Sequence, residues 1–330
     1  MFNLYDINME ERTVSIVMCT YNGAKYIKEQ LDSILAQTYP IHEIIIQDDI
    51  SDDGTMEILQ SYASDNDIIK IFKNEEKLGA NANFHKALSR ATGDYIAISD
   101  QDDIWESDKI AHQIEKIGDA MLCIGRSWYF TDDGSFIHND QRIPNYKLGQ
   151  FFFTGAPGHN ILMKREILNL LPPDVSVRKV AMYDGTYAFI AAAHCSLIYT
   201  DKVLVRHRRH KEAETYKDFS RSLPGIGNFF YILRWCIKHY HEAKPHSDIY
   251  VEARLELLRS LNCDNEISHT AIRMMELHLK SGFWSKLRLG YLYSKNCNWL
   301  FKTEGFSLVK YIRGWLYPIM CLYSFRFKLK

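Results

Sequence analysis

An acidic cluster follows a short apolar run near residue 100. Asp100, Asp102 and Asp103 place three carboxylates within four residues, directly after the run Tyr95–Ser99. Carboxylates at this spacing repel one another unless a cation or a proton relieves them. Hard divalent cations take oxygen ligands, and Mg²⁺ combines one or two carboxylates with substrate phosphates. The cluster therefore indicates a metal–diphosphate site, the alternative being a solvated acidic turn that caps the following helix.

A second acidic site lies at residues 48–55. Asp52, Asp53 and Gly54 are typical of a turn that caps the next helix. Asp48 and Asp49 directly follow the apolar run before them, where a carboxylate can accept hydrogen bonds from a base or a ribose. Each acidic loop alone is a weak signal, but two loops at the ends of two strands of one sheet converge on one crevice.

Strand-like and helix-like segments alternate through the first hundred residues. This alternation predicts an α/β fold with a parallel sheet covered on both faces, in which ligands bind outside the carboxyl ends of the strands. The polar residues cluster at those ends. The predicted strands are Val14–Cys19, Glu43–Gln47, Ile68–Phe72 and Tyr95–Ser99, and the predicted helices are Ala24–Gln37, Met56–Ala63, Ala80–Ala91, Ser107–Ile117 and, further on, Tyr183–Ala193.

Composition excludes several classes of protein. A formal net charge of −1 argues against a general nucleic-acid binder. The seven cysteines are scattered singly, which predicts neither a zinc site nor a disulfide framework and favours a reducing cytosol. The start of the chain lacks signal-peptide features, and no apolar run reaches the roughly 18 residues of a spanning helix. We expect a soluble or peripheral protein.

A series of short motifs follows a fixed order from residue 20 to residue 210. They are Thr20–Asn22, Asp48–Asp49, Ser51, Asp53–Thr55, Asn74, Leu78–Gly79, Asn83–Phe84, Ala91–Ile96, Ser99–Trp105, Met182–Gly185, Tyr199–Asp201 and Arg208–His210. This order resembles family 2 glycosyltransferases, and within that family the bacterial polysaccharide-assembly branch that includes rhamnosyltransferases. One departure is Ile50, where the family usually has Gly. Tyr183 and Gly185 also replace the more common neighbours of Asp184.

The resemblance implies the GT-A (nucleotide-diphospho-sugar transferase) fold, with a central mainly parallel sheet and a C-terminal helical extension. It also implies a Mg²⁺ or Mn²⁺ cofactor held by Asp102, Asp100 and His210, and a general base at Asp184, whose alternative role is to cap the following helix. The implied nucleotide-sugar-binding residues are Thr20, Tyr21, Asn22, Asp48, Asp49, Lys77, Gly79, Asn83, Asp100 and Gln101. The implied acceptor-binding residues are Trp105, Gly155, His159 and Asn160, with Trp105 either facing the acceptor or lying in the core.

The predicted organisation has three parts. Residues 1–12 form an N-terminal extension, and residues 13–215 form the catalytic domain. Its halves are 13–105 for the nucleotide sugar and 106–215 for the acceptor. Residues 216–330 form a helical region whose last 45 residues carry nine basic residues and one acid, Glu304. Its aromatics and cations fit either a helix lying on an anionic membrane or a helical subdomain with solvated charges.

The predicted activity is inverting, metal-dependent transfer of a hexose or deoxyhexose, such as rhamnose, galactose or glucose. The donor is a UDP- or dTDP-sugar and the acceptor a glycan or lipid-linked saccharide of a surface polysaccharide. The predicted location is the cytoplasm, peripheral to the cytoplasmic face of the bacterial inner membrane. Two alternatives remain: a non-catalytic glycan-binding scaffold, and a sugar-phosphate nucleotidyltransferase, which the single Gly and Lys of the loop after the first strand disfavour.

Overall fold

The structure, a computed structural model, describes residues 12–137, 143–210, 226–301 and 307–329. The predicted N-terminal extension, except for Arg12, lies outside the described residues, as do the predicted boundary near residue 215 and the charged residues Lys302, Glu304 and Lys330. The chain divides into two compact units. Unit 1 contains residues up to Ser127 together with Gly158–Leu168 and Lys202–Arg208, and unit 2 contains the rest.

Unit 1 is built on four parallel strands with the order β3-β2-β1-β4. Both faces are covered, because every residue of β2 and β4 is buried. The sequence prediction of this half is confirmed to within three residues at each element boundary. The elements are β1 (Val14–Thr20), α1 (Ile27–Leu35), β2 (Glu43–Asp48), α2 (Thr55–Asp65), β3 (Ile69–Lys73), α3 (Ala80–Leu88), β4 (Tyr95–Ser99) and α4 (Lys109–Ile117).

Beyond β4 the sheet continues with antiparallel pairs, which the sequence pattern did not indicate. Strand β8 pairs with β4 on one side and with β6 on the other, and the short strand β5 pairs with β9. The sheet is therefore mixed, with its parallel part confined to the first four strands. The additional strands are β5 (Ile104–Trp105), β6 (Leu122–Phe130), β7 (Phe136–Ile137), β8 (Ile161–Lys164) and β9 (Leu197–Arg208).

Unit 2 is largely helical. Helix α6 (Tyr183–Ala193) begins and ends where the sequence predicts, and ten of its residues are buried. The remaining helices are α5 (Val177–Val180), α7 (Ile226–Lys238), α8 (Tyr240–Ser260), α9 (Glu266–Leu279), α10 (Phe283–Lys295), α11 (Cys297–Leu300) and α12 (Ser307–Met320), followed by a 3₁₀ segment at Cys321–Lys328. Within the four described ranges, no helix combines the length and the apolarity needed to cross a bilayer.

Candidate active site

Two antiparallel registers bring four metal-ligating side chains together in unit 1. Strands β4 and β8 pair Ala97 with Leu162, and extending that register by three residues places Asp100 opposite His159. Strands β5 and β9 pair Ile104 with Arg206, so the preceding position, Asp103, lies opposite His207. One donor atom from each of these four side chains lies within 4.8 Å of the others. We call this group the Asp–His cluster.

The distances within the Asp–His cluster are those of charge-assisted contacts. His207 Nδ1 lies 2.9 Å from Asp103 Oδ1. His159 Nδ1 lies 3.5 Å from Asp100 Oδ2 and 3.8 Å from Asp103 Oδ2. The two imidazole rings stack with centroids 4.3 Å apart and an interplanar angle of 11°. The rings therefore present their Nδ1 atoms to the same pair of carboxylates.

Asp103 is the most deeply buried member of the cluster, with no exposed surface. Burial alone would raise its pKa, but the charges of His207 and His159 and the hydrogen bonds from His207 and the Arg208 amide hold the pKa below its usual value of 3.8. Burial would conversely lower the pKa of His207, and Asp103 with the nearby Asp100 and Asp102 raises it instead. Asp103 is therefore a carboxylate kept ionised in a dry setting by cationic neighbours.

The Nε2 atom of His159, on the side of the ring away from the carboxylates, contacts Ser127. His159 Nε2 lies 2.7 Å from Ser127 Oγ, and Ser127 Oγ also accepts a hydrogen bond from Asn160 Nδ2. In the neutral form that ligates a metal, with its proton on Nε2, His159 would donate to Ser127, and its Nδ1 lone pair would face a cation held between it and the carboxylates. A hydrogen bond on the outer nitrogen is how proteins orient an imidazole that ligates a metal.

Arg208 fixes the loop that carries the aspartates. Its amide donates to Asp103 Oδ1 at 2.9 Å, and its Nε donates to the carbonyl of Asp102 at 3.0 Å. Its guanidinium also pairs with Glu29 and lies over the Tyr26 ring, 4.7 Å from the centroid. The loop between β4 and β5 is therefore tied to the end of β9 through both backbone and side chain.

The donor set fits a divalent cation. Carboxylate oxygens and imidazole nitrogens together suit Mn²⁺ or Zn²⁺ better than Mg²⁺, which prefers oxygen ligands. Asp103 Oδ2 is buried and has no hydrogen-bond partner among the described residues, so it keeps a lone pair for a ligand. Of the metal ligands predicted from sequence, Asp100 belongs to the cluster. Asp102 is half-buried outside it, and His210 belongs to unit 2.

Three of the predicted nucleotide-binding residues are buried in hydrogen-bond networks. Asp48 accepts from Thr20 Oγ1 at 2.8 Å and from the Ser51 amide at 2.9 Å. Both oxygens of Asp49 accept backbone amides, from Leu78 and Gly79, each at 2.8 Å. These carboxylates hold the loops after β1, β2 and β3 in fixed conformations. Gly79, with a φ of 77°, occupies the left-handed region that a glycine tolerates.

Other residues predicted to bind the nucleotide sugar are accessible to solvent. Tyr21 is 43% exposed, and Lys77 Nζ lies 3.6 Å from the centroid of its ring. Gln101 clamps the backbone of Tyr21, accepting from its amide at 2.9 Å and donating to its carbonyl at 3.0 Å. The Asn22 side chain accepts from the Asp52 amide at 3.0 Å. An exposed aromatic ring with a cation above it is thereby anchored to the acidic loop.

Asn83 and Trp105 lie in the interior of unit 1. Asn83 is 1% exposed, and its amide donates to the carbonyl of Gln47 at 2.9 Å. Trp105 is 2% exposed, and Lys109 Nζ lies 4.0 Å from the centroid of its ring. Burial of Lys109 lowers its pKa to about 7. Of the two interpretations of Trp105, the structure therefore has the core position.

In unit 2, Asp184 lies in the first turn of α6 beside a close approach of two glycines. A Cβ on Gly185 would lie 2.9 Å from the Cα of Gly155, and a Cβ on Gly155 would lie 3.7 Å from Asp184 Oδ1. Asp184 Oδ1 accepts from the amide of Gly185 at 2.5 Å. The two glycines allow the backbone of the 154–156 segment to approach the carboxylate that the sequence predicts as general base.

Arg254 of α8 holds this turn from below. Its side chain is fully buried, and Nη1 donates to the carbonyl of Gly185 at 3.1 Å while Nη2 donates to the Tyr250 hydroxyl at 2.9 Å. Its guanidinium lies 4.7 Å from the centroid of Phe189 on α6. The peptide that follows Gly185, one residue beyond Asp184, is therefore fixed by a buried cation from the helical region.

Sequence reasoning did not bring Asp103 and His207 together as possible metal ligands, and it did not single out Arg254. Asp103 stood within the recognised acidic motif, and an antiparallel partner for Ile104–Trp105 would have pointed to His207. No sequence signal distinguishes Arg254 from the other basic residues of the helical region. His159 and Asn160, predicted as acceptor contacts, are found in and behind the Asp–His cluster.

About the first half of the chain matches a known family model. Residues 15–171 match the model of glycosyl transferase family 2. The dTDP-rhamnosyl transferase RfbG of Shigella flexneri is 28% identical over 220 residues, which cover 62% of this chain and 75% of RfbG. The UDP-Glc:alpha-D-GlcNAc-diphosphoundecaprenol beta-1,3-glucosyltransferase WfgD of Escherichia coli is 37% identical over 158 residues, covering 47% and 57%.

Several relatives are matched over only part of their length. TuaG of Bacillus subtilis is 43% identical over 136 residues, 39% of this chain and 54% of TuaG. The chain covers 64% and 65% of two relatives from Methanocaldococcus jannaschii and Rickettsia typhi. Among solved structures, S. aureus TarS in complex with UDP-GlcNAc aligns with a TM-score of 0.54 at 14% identity, over 96% of this chain and 92% of TarS. That likeness confirms the GT-A fold.

Ile50 offers a direct test of the loop conformation. Its φ of 64° places a β-branched residue in the left-handed region, at a cost of about 1–2 kcal/mol. We expect Ile50→Gly to raise the free energy of unfolding by about 1 kcal/mol and Ile50→Ala, which keeps a Cβ, to give no gain. Urea unfolding of the three proteins measures this. A Gly variant less stable than the Ala variant would show that the loop is not strained.

Proposed function

We propose that this chain, whose residues 15–171 match the model of glycosyl transferase family 2, is an inverting, cation-dependent glycosyltransferase that acts in the synthesis of a surface polysaccharide. The observation that carries the proposal is the Asp–His cluster. It sets two carboxylates and two imidazoles beside the carboxyl end of β4, where α/β sheets bind ligands. The fold and the names of the relatives support the same class of reaction.

The Asp–His cluster is the cation site that we propose. Asp100, Asp103, His159 and His207 would hold Mn²⁺, or less favourably Mg²⁺, and the cation would supply positive charge to the leaving nucleoside diphosphate. Asp103 and His207 provide the buried anchor, and His159 is oriented by Ser127. Asp100, which is 34% exposed, faces both the cluster and solvent and belongs equally to the ligand set implied by the resemblance. Asp102 and His210 remain predictions for that set.

We propose that the accessible residues bind the nucleotide-sugar donor and that the buried residues fix the shape of the loops around it. Tyr21 offers a ring face to the base, and Lys77 above it offers a cation to a phosphate. Asp48, Asp49, Thr20 and Asn83 hold the surrounding loops, so the binding surface is set before the donor arrives. A UDP- or dTDP-sugar is the donor class that we propose, in line with the donors named for WfgD and RfbG.

Asp184 is the general base in this proposal. An inverting transfer needs one carboxylate to take the proton of the acceptor hydroxyl as that oxygen attacks the anomeric carbon. The transferred sugar is a hexose or deoxyhexose, and the acceptor is a glycan or a lipid-linked saccharide. We place Gly155 beside the base, where a backbone without a side chain leaves room for the acceptor. We further propose that the protein works in the cytoplasm, peripheral to the bacterial inner membrane.

The activity is tested by incubating the purified protein with a panel of nucleotide sugars and Mn²⁺ or Mg²⁺ and measuring the nucleoside diphosphate released. We expect slow hydrolysis of one donor that chelator abolishes. Asp103→Asn, which conserves shape, should lower that hydrolysis by about 10²-fold because the anchor charge is lost. Asp65→Asn, an exposed carboxylate on α2, is the matched control.

Asp184→Asn separates base catalysis from donor binding. With a polyprenyl-diphosphate saccharide as acceptor, transfer should fall by about 10²–10⁴-fold while donor hydrolysis in its absence persists. The absence of both donor hydrolysis and donor binding across the whole panel would contradict the enzymatic proposal and would favour the scaffold. Formation of a nucleotide sugar from a sugar phosphate would favour the nucleotidyltransferase.

Arg254 is expected to act as a positioning residue for Asp184. Arg254→Lys keeps the charge but loses one of the two bonds to Gly185 and Tyr250, so the turn should shift and kcat for transfer should fall by about 10–100-fold. KM for the donor and the rate of donor hydrolysis should not change. Added guanidinium should partly restore transfer by Arg254→Ala. Arg259→Ala, an exposed position on the same helix, is the control, and equal loss of transfer and hydrolysis would refute the positioning role.

A further inference from the structure

The end of the chain combines basic charge with a lack of acids. Between Leu277 and Lys330 the sequence has ten Lys and Arg residues and one acid, Glu304. Lys280, Arg288 and Lys295 are exposed in the part of the chain around α10. This local charge contrasts with the net charge of −1 for the whole chain, so the cations are concentrated on one region.

Helix α10 carries an exposed apolar stripe. Phe283, Leu287 and Tyr291 follow one another at i, i+4 and i+8, and they are 72%, 41% and 50% exposed. Trp284 lies beside them at 70% exposure, with its ring edge-on to Phe283 at 5.5 Å. Aromatic rings this exposed bury little of their surface within the protein. Such rings are enriched at the boundary between water and lipid.

Helix α12 adds a second stripe. Leu308, Val309, Tyr311 and Ile312 are all exposed, at 66%, 55%, 43% and 48%. The helices α10 and α12 pack closely and antiparallel. A Cβ on Gly290 would lie 2.8 Å from the Trp315 ring, and Ser294 Oγ donates to the carbonyl of Tyr311 at 2.7 Å.

The two helices also contact where the ring of Tyr291 lies 6.3 Å from that of Trp315. We call the exposed apolar residues of these two packed helices, together with the exposed Arg288 and Lys295 of α10, the α10–α12 face. A patch of this kind on a protein surface marks an interaction site.

We propose that the α10–α12 face docks on the surface of an anionic bilayer. An amphipathic surface with aromatic and aliphatic residues on one side and Lys and Arg at its border binds at the headgroup level of anionic lipid. Acidic residues are repelled from such a surface, which fits their near absence from this segment. The inference rests on the proposed function in one respect, since a lipid-linked acceptor is what brings a transferase to the membrane. The binding itself does not depend on catalysis.

The test is cosedimentation of the full chain with vesicles of phosphatidylcholine alone or of phosphatidylcholine with phosphatidylglycerol. We expect binding to the anionic vesicles that weakens as salt is added. The double variant Phe283→Ser with Trp284→Ser should bind at least about tenfold more weakly. Phe136→Ser, at a position 63% exposed on β7, is the matched control and should bind as the unmodified chain does.

Three outcomes bear on the inference. Loss of vesicle binding in the double variant, with unchanged donor hydrolysis in solution, supports the α10–α12 face as the docking surface. If the unmodified chain binds vesicles but hydrolyses no donor, the inference stands while the proposed function fails. Equal binding by the double variant and the unmodified chain would overturn the inference. So would sedimentation velocity that shows a dimer abolished by the double variant, with no vesicle binding, because the face would then join two copies of the chain.

Discussion

The site depends on one buried carboxylate held between two imidazoles. Asp103 has no exposed surface, and a bare charge in that position would cost several kcal/mol of stability. It is tolerated because His207, His159 and the amide of Arg208 surround it. His207 and Arg208 end strand β9, and His159 lies in the turn before β8, so removing the charge would loosen the contact among β5, β9 and the start of β8 in the region of the acidic loop.

The same network explains how a set of strand ends becomes a binding surface. The carboxylate oxygens of Asp48 and Asp49 accept hydrogen bonds from the surrounding loops and so fix their backbone. The exposed Tyr21 and Lys77 are then available to bind a ligand. Rigid loops lower the ordering entropy that a donor must overcome. Ile50 adds a local strain that these hydrogen bonds hold in place, at the position next to Asp49.

The sequence predicted the parallel half of the fold well because three of its four strands, β1, β2 and β4, are almost wholly buried and are bounded by polar turn residues. It predicted α6 from its apolar run. Among the antiparallel strands, β5 and β7 have only two residues each and so no periodicity to detect. The Asp–His cluster was missed because Asp103 and His207 are 104 positions apart and meet only through the register of β5 with β9. Arg254 shows the remaining limit, since burial of a cation is invisible in sequence.

The most direct test of the account is pulsed electron paramagnetic resonance of Mn²⁺ bound to the full chain. If Asp103, His159 and His207 form the core of the cation site, the spectrum should show nitrogen couplings from two imidazoles. His207→Gln should then leave one coupling, and His210→Gln should change nothing. Mn²⁺ that binds with no nitrogen coupling, or whose coupling disappears in His210→Gln and persists in His207→Gln, would contradict the account and move the cation to the ligand set built on Asp102.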